Sequence, residues 1–106
     1  MANQYGVIFT HPPNVCPISN KASREMAKRG FTELPNISQK YKVKMIAYYH
    51  FDPGHLAVGI FESENSESLR DMLVESGFMH WCDMTIYPIT PVEKILQGID
   101  KIPTIY

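Results

Sequence analysis

The chain has no excess of charge of either sign. Ten Lys and Arg stand against eleven Asp and Glu over 106 residues, a net charge of −1. No Lys/Arg run or basic patch breaks this balance, which argues against a nucleic-acid partner. Long apolar runs are also missing. No stretch approaches the ~18 residues that a membrane-spanning helix needs, so no membrane partner is expected. Met1-Ala2-Asn3-Gln4 lacks a charged n-region and an apolar h-region, so nothing marks export and the expected location is cytoplasmic. Cysteine is scarce, with only Cys16 and Cys82, and two such residues read as free thiols or ligands rather than a structural bridge. There is no repeat, low-complexity tract or linker. The expectation is a single domain, 1–106, that buries about two-thirds of its unfolded surface and folds without disulfide or metal.

What is present is 44% apolar and 20% charged residues, ordinary for a globular protein. Tyr5 to Thr10 reads as a strand, rich in aromatic and β-branched residues. Pro12, Pro13 and Pro17 then make a stiff loop. Ser19 or Asn20 can cap a helix that starts near Lys21, with Ala22, Met26 and Ala27 on its face and Gly30 as its C′ residue. Phe31 to Lys40, with Pro35 inside it, reads as irregular with a short turn of helix. Tyr41 to Phe51 alternates Val43, Met45, Ala47 and Tyr49 against Lys42, Lys44, Ile46, Tyr48 and His50, a strand pattern. Asp52-Pro53-Gly54 is a turn, and His55 to Glu62 is the return strand of a hairpin.

Asn65 can cap a second helix carrying Leu69, Met72, Leu73 and Ser76, which Gly77 ends. Met84 to Ile89 reads as a fourth strand. Thr90-Pro91-Val92-Glu93 reads as cap, N1 proline and N3 glutamate of a last helix reaching about Gln97. The tail holds Ile99, Ile102, Ile105 and Tyr106 and is expected to be buried. The methionines read as core filler.

This order, β-α-β-β-α-β plus a C-terminal helix, predicts an α+β ferredoxin-like domain with an antiparallel sheet. Right-handed crossovers align strand 1 with strand 2, and strand 3 with strand 4. Strand 1 then ends at the same pole as strand 2, and helix 2 ends there too. That pole gathers His11 and Cys16 after strand 1, His50 and His55 about the hairpin turn, and His80 and Cys82 after helix 2. Imidazole and thiolate are transition-metal ligands and also act in acid–base and nucleophilic chemistry near neutral pH.

Three functions follow for this pole. The first is a metal site drawn from His11, Cys16, His50, His55, His80 and Cys82, holding zinc, copper or iron, or a haem, with Asp52 and Asp83 able to ligate or to orient a histidine. The core ligands would be the four histidines, with a cysteine at the edge. The second is a cofactor-free enzyme of isomerase or monooxygenase type, its pocket lined by Tyr48, Tyr49 and Trp81 with His50 or His80 as base. The third is a pocket that binds a small molecule without catalysis. The opposite pole, with Ser63, Glu64, Asn65 and the Tyr41 region, offers little chemistry.

The element order, the length and the ending Trp81…Tyr87-Pro88-Ile89-Thr90-Pro91-Val92 resemble the dimeric α/β-barrel superfamily, and within it one of its uncharacterised small families. The resemblance covers nearly the whole chain. It implies two sheets packed face to face in a homodimer or a higher homo-oligomer, and a small-molecule or cofactor role, since some members bind haem or iron and others use no cofactor. Apolar residues on both alternating sets of strands 2 and 3 point the same way, because a monomer would leave one set wet.

Overall fold

A computed structural model describes residues 2–106. Strands β1 (Asn3–Thr10), β2 (Lys44–Phe51), β3 (Leu56–Ser63) and β4 (Asp83–Pro88) form one sheet in the order β2-β3-β1-β4. Every neighbouring pair is antiparallel. Helices α1 (Lys21–Tyr41) and α2 (Ser66–Glu75) follow β1 and β3 and cover one face of the sheet. This is the ferredoxin-like α+β arrangement that the element order predicts. A short helix α3 (Val92–Gln97) and a 3₁₀ turn (Ile99–Lys101) follow β4.

The core lies between sheet and helices. Tyr5, Val7 and Phe9 alternate inward from β1, Ala57 and Phe61 from β3, and Leu69, Met72 and Leu73 meet them from α2. Phe9, Phe61, Phe78, Leu69, Met72, Leu73 and Val7 have almost no accessible surface. Burying a side chain of this size is favourable by roughly 1.5–3 kcal/mol, which makes this layer the main stabilising element.

Helix α1 differs from expectation. It does not end at Gly30, and Phe31 to Lys40 is helical, not irregular. Gly30 is there for close approach. A Cβ at this position would lie 2.6 Å from the Ser76 carbonyl oxygen at the end of α2. Pro35 sits inside the helix, where its lost N–H is tolerated because the packing of Leu34 and Ile37 outweighs one missing bond. The true stop is Lys42 in the left-handed region (φ 57°), with Val43 N–H donating back to the Ser38 carbonyl at 2.9 Å. Strand β2 therefore starts at Lys44 and not at Tyr41.

A bulge at Ile46 also changes the phase of β2. Met45 pairs with Phe61, and Ala47 pairs with Ile60. Beyond the bulge Tyr48, not Tyr49, turns toward the helices and stacks on Phe9 and Phe31, with ring centroids 5.1 and 5.3 Å apart. The expected single face of Val43, Met45, Ala47 and Tyr49 is thus split. At the C-terminus, Pro91 rather than Thr90 occupies the cap of α3, with no side-chain hydrogen bond. The tail is not buried as expected: Ile102 is 56% exposed and Ile105 91%.

Among the described residues, no helix is long and apolar enough to cross a membrane.

Candidate metal centre

The period of two along a strand places the histidines. His11 is two residues beyond Phe9, on the helix-covered face of the sheet. His55 is two residues before Ala57, on the same face, and its carbonyl accepts from the His11 N–H at 3.3 Å. His50 pairs directly with Ala57 and also points to that face. Three histidines thus share one side of the sheet at the pole where β1 and β2 end.

Cys16 reaches the pole by a different device. The loop from His11 to Asn20 carries three prolines and is held at several points. The Cys16 N–H donates to the Pro13 carbonyl (3.2 Å), and its own carbonyl accepts from Ser19 (3.0 Å) and Asn20 (2.7 Å). Asn20 caps α1 by accepting from the Ser23 N–H at 2.9 Å, and its amide donates to the Asn14 carbonyl at 3.0 Å. Arg24 donates from the first turn of α1 to the Pro17 carbonyl at 2.9 Å and also to that of Ile18. The result is a loop folded back on the helix start, with the Cys16 side chain buried.

His11, Cys16 and His55 form a group that could hold a metal ion: their ligand atoms all lie within 4.8 Å of one another. His55 Nδ1 and His11 Nε2 are 3.2 Å apart. Two nitrogens each about 2.0–2.1 Å from one tetrahedral ion lie roughly 3.3 Å apart, so this spacing would admit a shared ion. Without an ion, one imidazole N–H donates to the other ring. Partial burial first, and then the neighbouring rings of His55 and His50, hold His11 below its ordinary 6.5. Its neutral form, the one that ligates, therefore prevails at neutral pH.

Trp81 packs beside His11 with ring centroids 5.6 Å apart, and Phe78 packs on Trp81 at 5.9 Å. The ring stack continues to Phe9 and Phe31, so the donor group sits on the end of the aromatic core.

The other candidates lie differently. His50 Nδ1 is 2.8 Å from Asp52 Oδ1, a carboxylate–imidazole pair that leaves Nε2 free. His80 is exposed at the end of the 3₁₀ turn Phe78–His80. It lines a hollow of about 260 Å³ with Pro12, Val15, Met79, Trp81, Cys82 and Asp83. The Cys82 thiol is buried and donates to the Phe78 carbonyl at 3.0 Å. Burial first, then the nearby Asp83, pushes it up to about 12. Tyr48 is half-buried on the helix side and burial raises its pKa, whereas Tyr49 stands on the open face. A larger hollow, about 580 Å³, lies at the opposite pole among Asn3, Tyr5, Glu62, Pro88, Thr90 and Lys94; it contains no histidine or cysteine. Residue types alone do not reveal the anchors of the Cys16 loop, Asn20 and Arg24. The capping position of Asn20 is the one local signal for them.

No protein-family model matches the chain, and no curated protein matches it. Among solved structures, 30S ribosomal protein S6 from Thermotoga maritima is 16% identical, with a TM-score of 0.49, over 94% of this chain and 99% of that one. A putative transposase from Deinococcus radiodurans R1 is 10% identical, with a TM-score of 0.42, over 95% and 91%. The fold assignment rests on the strand order given above.

Proposed function

We propose that this chain, one domain of residues 1–106, is a small metal-binding protein that holds a transition-metal ion between His11 Nε2, His55 Nδ1 and Cys16 Sγ. The observation that carries this reading is the convergence within 4.8 Å of three donors from two segments far apart in sequence, the His11–Asn20 loop and the β2–β3 turn. A mixed N/S set suits zinc, copper or iron and disfavours magnesium or calcium, which prefer oxygen. The three donor atoms cluster within 4.8 Å, which fits a single ion better than a haem. His50, His80 and Cys82 would then border the site, with Trp81 shielding one side. A free thiol ligand suits a reducing compartment, the cytoplasm.

The same protein would work as a homodimer of dimeric-barrel type. The support is the bare sheet face, where Tyr49 and Tyr87 are 68% and 53% exposed, together with an arm after β4 in which α3 has no buried residue. The radius of gyration, 16.2 Å, exceeds the roughly 13 Å of a compact chain of this length.

The test is a set of thermal melts of reduced, chelator-treated protein with Zn²⁺, Cu⁺ or Fe²⁺. A ligand at a hundredfold excess over its Kd stabilises by about 2.7 kcal/mol, on the order of 10 °C here. No shift with any metal would overturn the metal reading.

A second reading rests on the His50–Asp52 pair. A carboxylate that holds Nδ1 leaves Nε2 placed as a general base, the requirement of a cofactor-free enzyme. This reading predicts turnover of a small acidic C–H substrate in metal-free protein, lost in His50→Ala and kept in Cys16→Ser. A pocket that only binds a small molecule would show neither.

A further inference from the structure

We infer that the ion is copper in its cuprous state, held by three protein donors and exchangeable from the open side; this rests on the metal reading above. The number and kind of donors carry the inference. Among the described residues the group contains two imidazoles and one thiolate, with no carboxylate and no fourth donor. A structural zinc site closes its tetrahedron with four protein ligands, and a catalytic one fills the fourth position with water. Cuprous copper, d¹⁰ and soft, is satisfied by two or three donors and favours thiolate and imidazole.

The placement of the donors agrees. Cys16 is only 4% exposed and its loop is stapled by the backbone bonds described above, so the softest ligand is fixed and shielded from oxidants. His55 is exposed, so the ion can be approached from that side by the thiol of a donor or acceptor. Such an incoming ligand would make the fourth bond during exchange. Binding forms two Cu–N bonds and one Cu–S bond as Cu⁺ leaves the ligands that carried it; the proton shared between His11 and His55 moves to the far nitrogen of its ring, and Cys16 releases its thiol proton to the buffer. No electron moves, because copper enters as Cu⁺.

The competing geometry uses His50. Asp52 holds its Nδ1 at 2.8 Å, the outer arrangement found behind many metal-binding histidines. If His50 swung in through Nε2, the site would be four-coordinate and would suit zinc. The experiment therefore separates three donors from four.

Anaerobic, thiol-reduced protein is titrated with Cu⁺, supplied as its acetonitrile complex, in the presence of the competing chelator bathocuproine disulfonate. Parallel titrations use Zn²⁺ with a chromogenic chelator. Trp81, the only tryptophan, reports binding by its emission, and circular dichroism verifies that each variant is folded. The expected result is one Cu⁺ per chain and copper-edge absorption showing two nitrogens and one sulfur. Affinity should fall roughly a hundredfold in Cys16→Ser and in His55→Ala, which remove ligands of the preferred type, and stay unchanged in His50→Ala. Because His55 is exposed, its variant tests the ligand role even if Cys16→Ser folds poorly. Copper held equally well by Cys16→Ser and His55→Ala would be adventitious and would overturn the inference. So would a site that retains Zn²⁺ and loses it in His50→Ala, or copper with four protein donors, although both leave the metal reading standing. Failure of every metal to bind would overturn both.

Discussion

On the helix-covered face of the sheet, Tyr5, Val7, Phe9, Ala57 and Phe61 are all under 9% exposed. On the other face, one residue along each strand, Ile8, Tyr49, Phe51 and Tyr87 are 40–68% exposed. The two faces differ little in apolar character. What separates them is the crossover connections, which put both helices on one side and leave the other bare. The difference teaches that alternation marks faces without ranking them, and that the covered face also supplies chemistry where it runs past the last core layer. Phe9 continues into His11, and Ala57 is preceded by His55.

The largest expected effect lies in the core of the covered face. Phe61→Ala should cost about 3–5 kcal/mol, since the ring is fully buried and leaves a cavity. Phe51→Ala on the bare face should change stability far less at concentrations where the chain is monomeric. Denaturant melts compare the two, and equal losses would erase the distinction between the faces.

The next effect sharpens the status of the bare face. Tyr49→Asp with Phe51→Asp places two charges on it and should turn a dimer into a monomer in light scattering, with circular dichroism unchanged. A wild type that is already monomeric at micromolar concentration breaks the proposed pairing of faces.

A pH effect tests how dry the covered face is. Cys82 has its thiol raised from an ordinary 9.0 to about 12, with Tyr48 and Asp83 the titratable groups beside it. The folded state therefore keeps a proton that the unfolded state releases above pH 9. The stability associated with the neutral thiol is present below pH 9 and is lost between pH 9 and 12. Cys82→Ala should flatten that part of the stability profile in melts recorded from pH 8 to 11.

The smallest effect concerns the loop. Asn20→Ala removes the α1 cap and should cost about 1 kcal/mol. It should also weaken metal binding by loosening the Cys16 loop, whereas Asn65→Ala, at the α2 cap, should cost a similar stability and leave metal binding alone.

Much of this molecule was legible in the residues. The strands β1 and β3, the Asn65 cap and the element order follow from period, capping chemistry and handedness, all local or chiral rules. From that order came the pole that collects the histidines. Helix α1 runs through Gly30 and Pro35, both local stop signals, and only the distant Ser76 carbonyl explains a glycine within a helix. Of Tyr48 and Tyr49 only Tyr48 faces the helices, because one unpaired residue, Ile46, reverses every side chain after it. The apolar tail found no cover within its own chain.

Sequence by itself determined the fold class and the end of the fold where imidazoles and thiols collect, since both depend on connectivity. Tertiary structure decided which of the six meet. Cys16 was brought to His11 and His55 by backbone hydrogen bonds to Pro13, Ser19 and Asn20. The Cys82 thiol turned instead to the Phe78 carbonyl, four residues back. His50 was held by Asp52. Such choices depend on angstrom-scale distances between segments far apart in the chain, and residue type and spacing do not encode those distances.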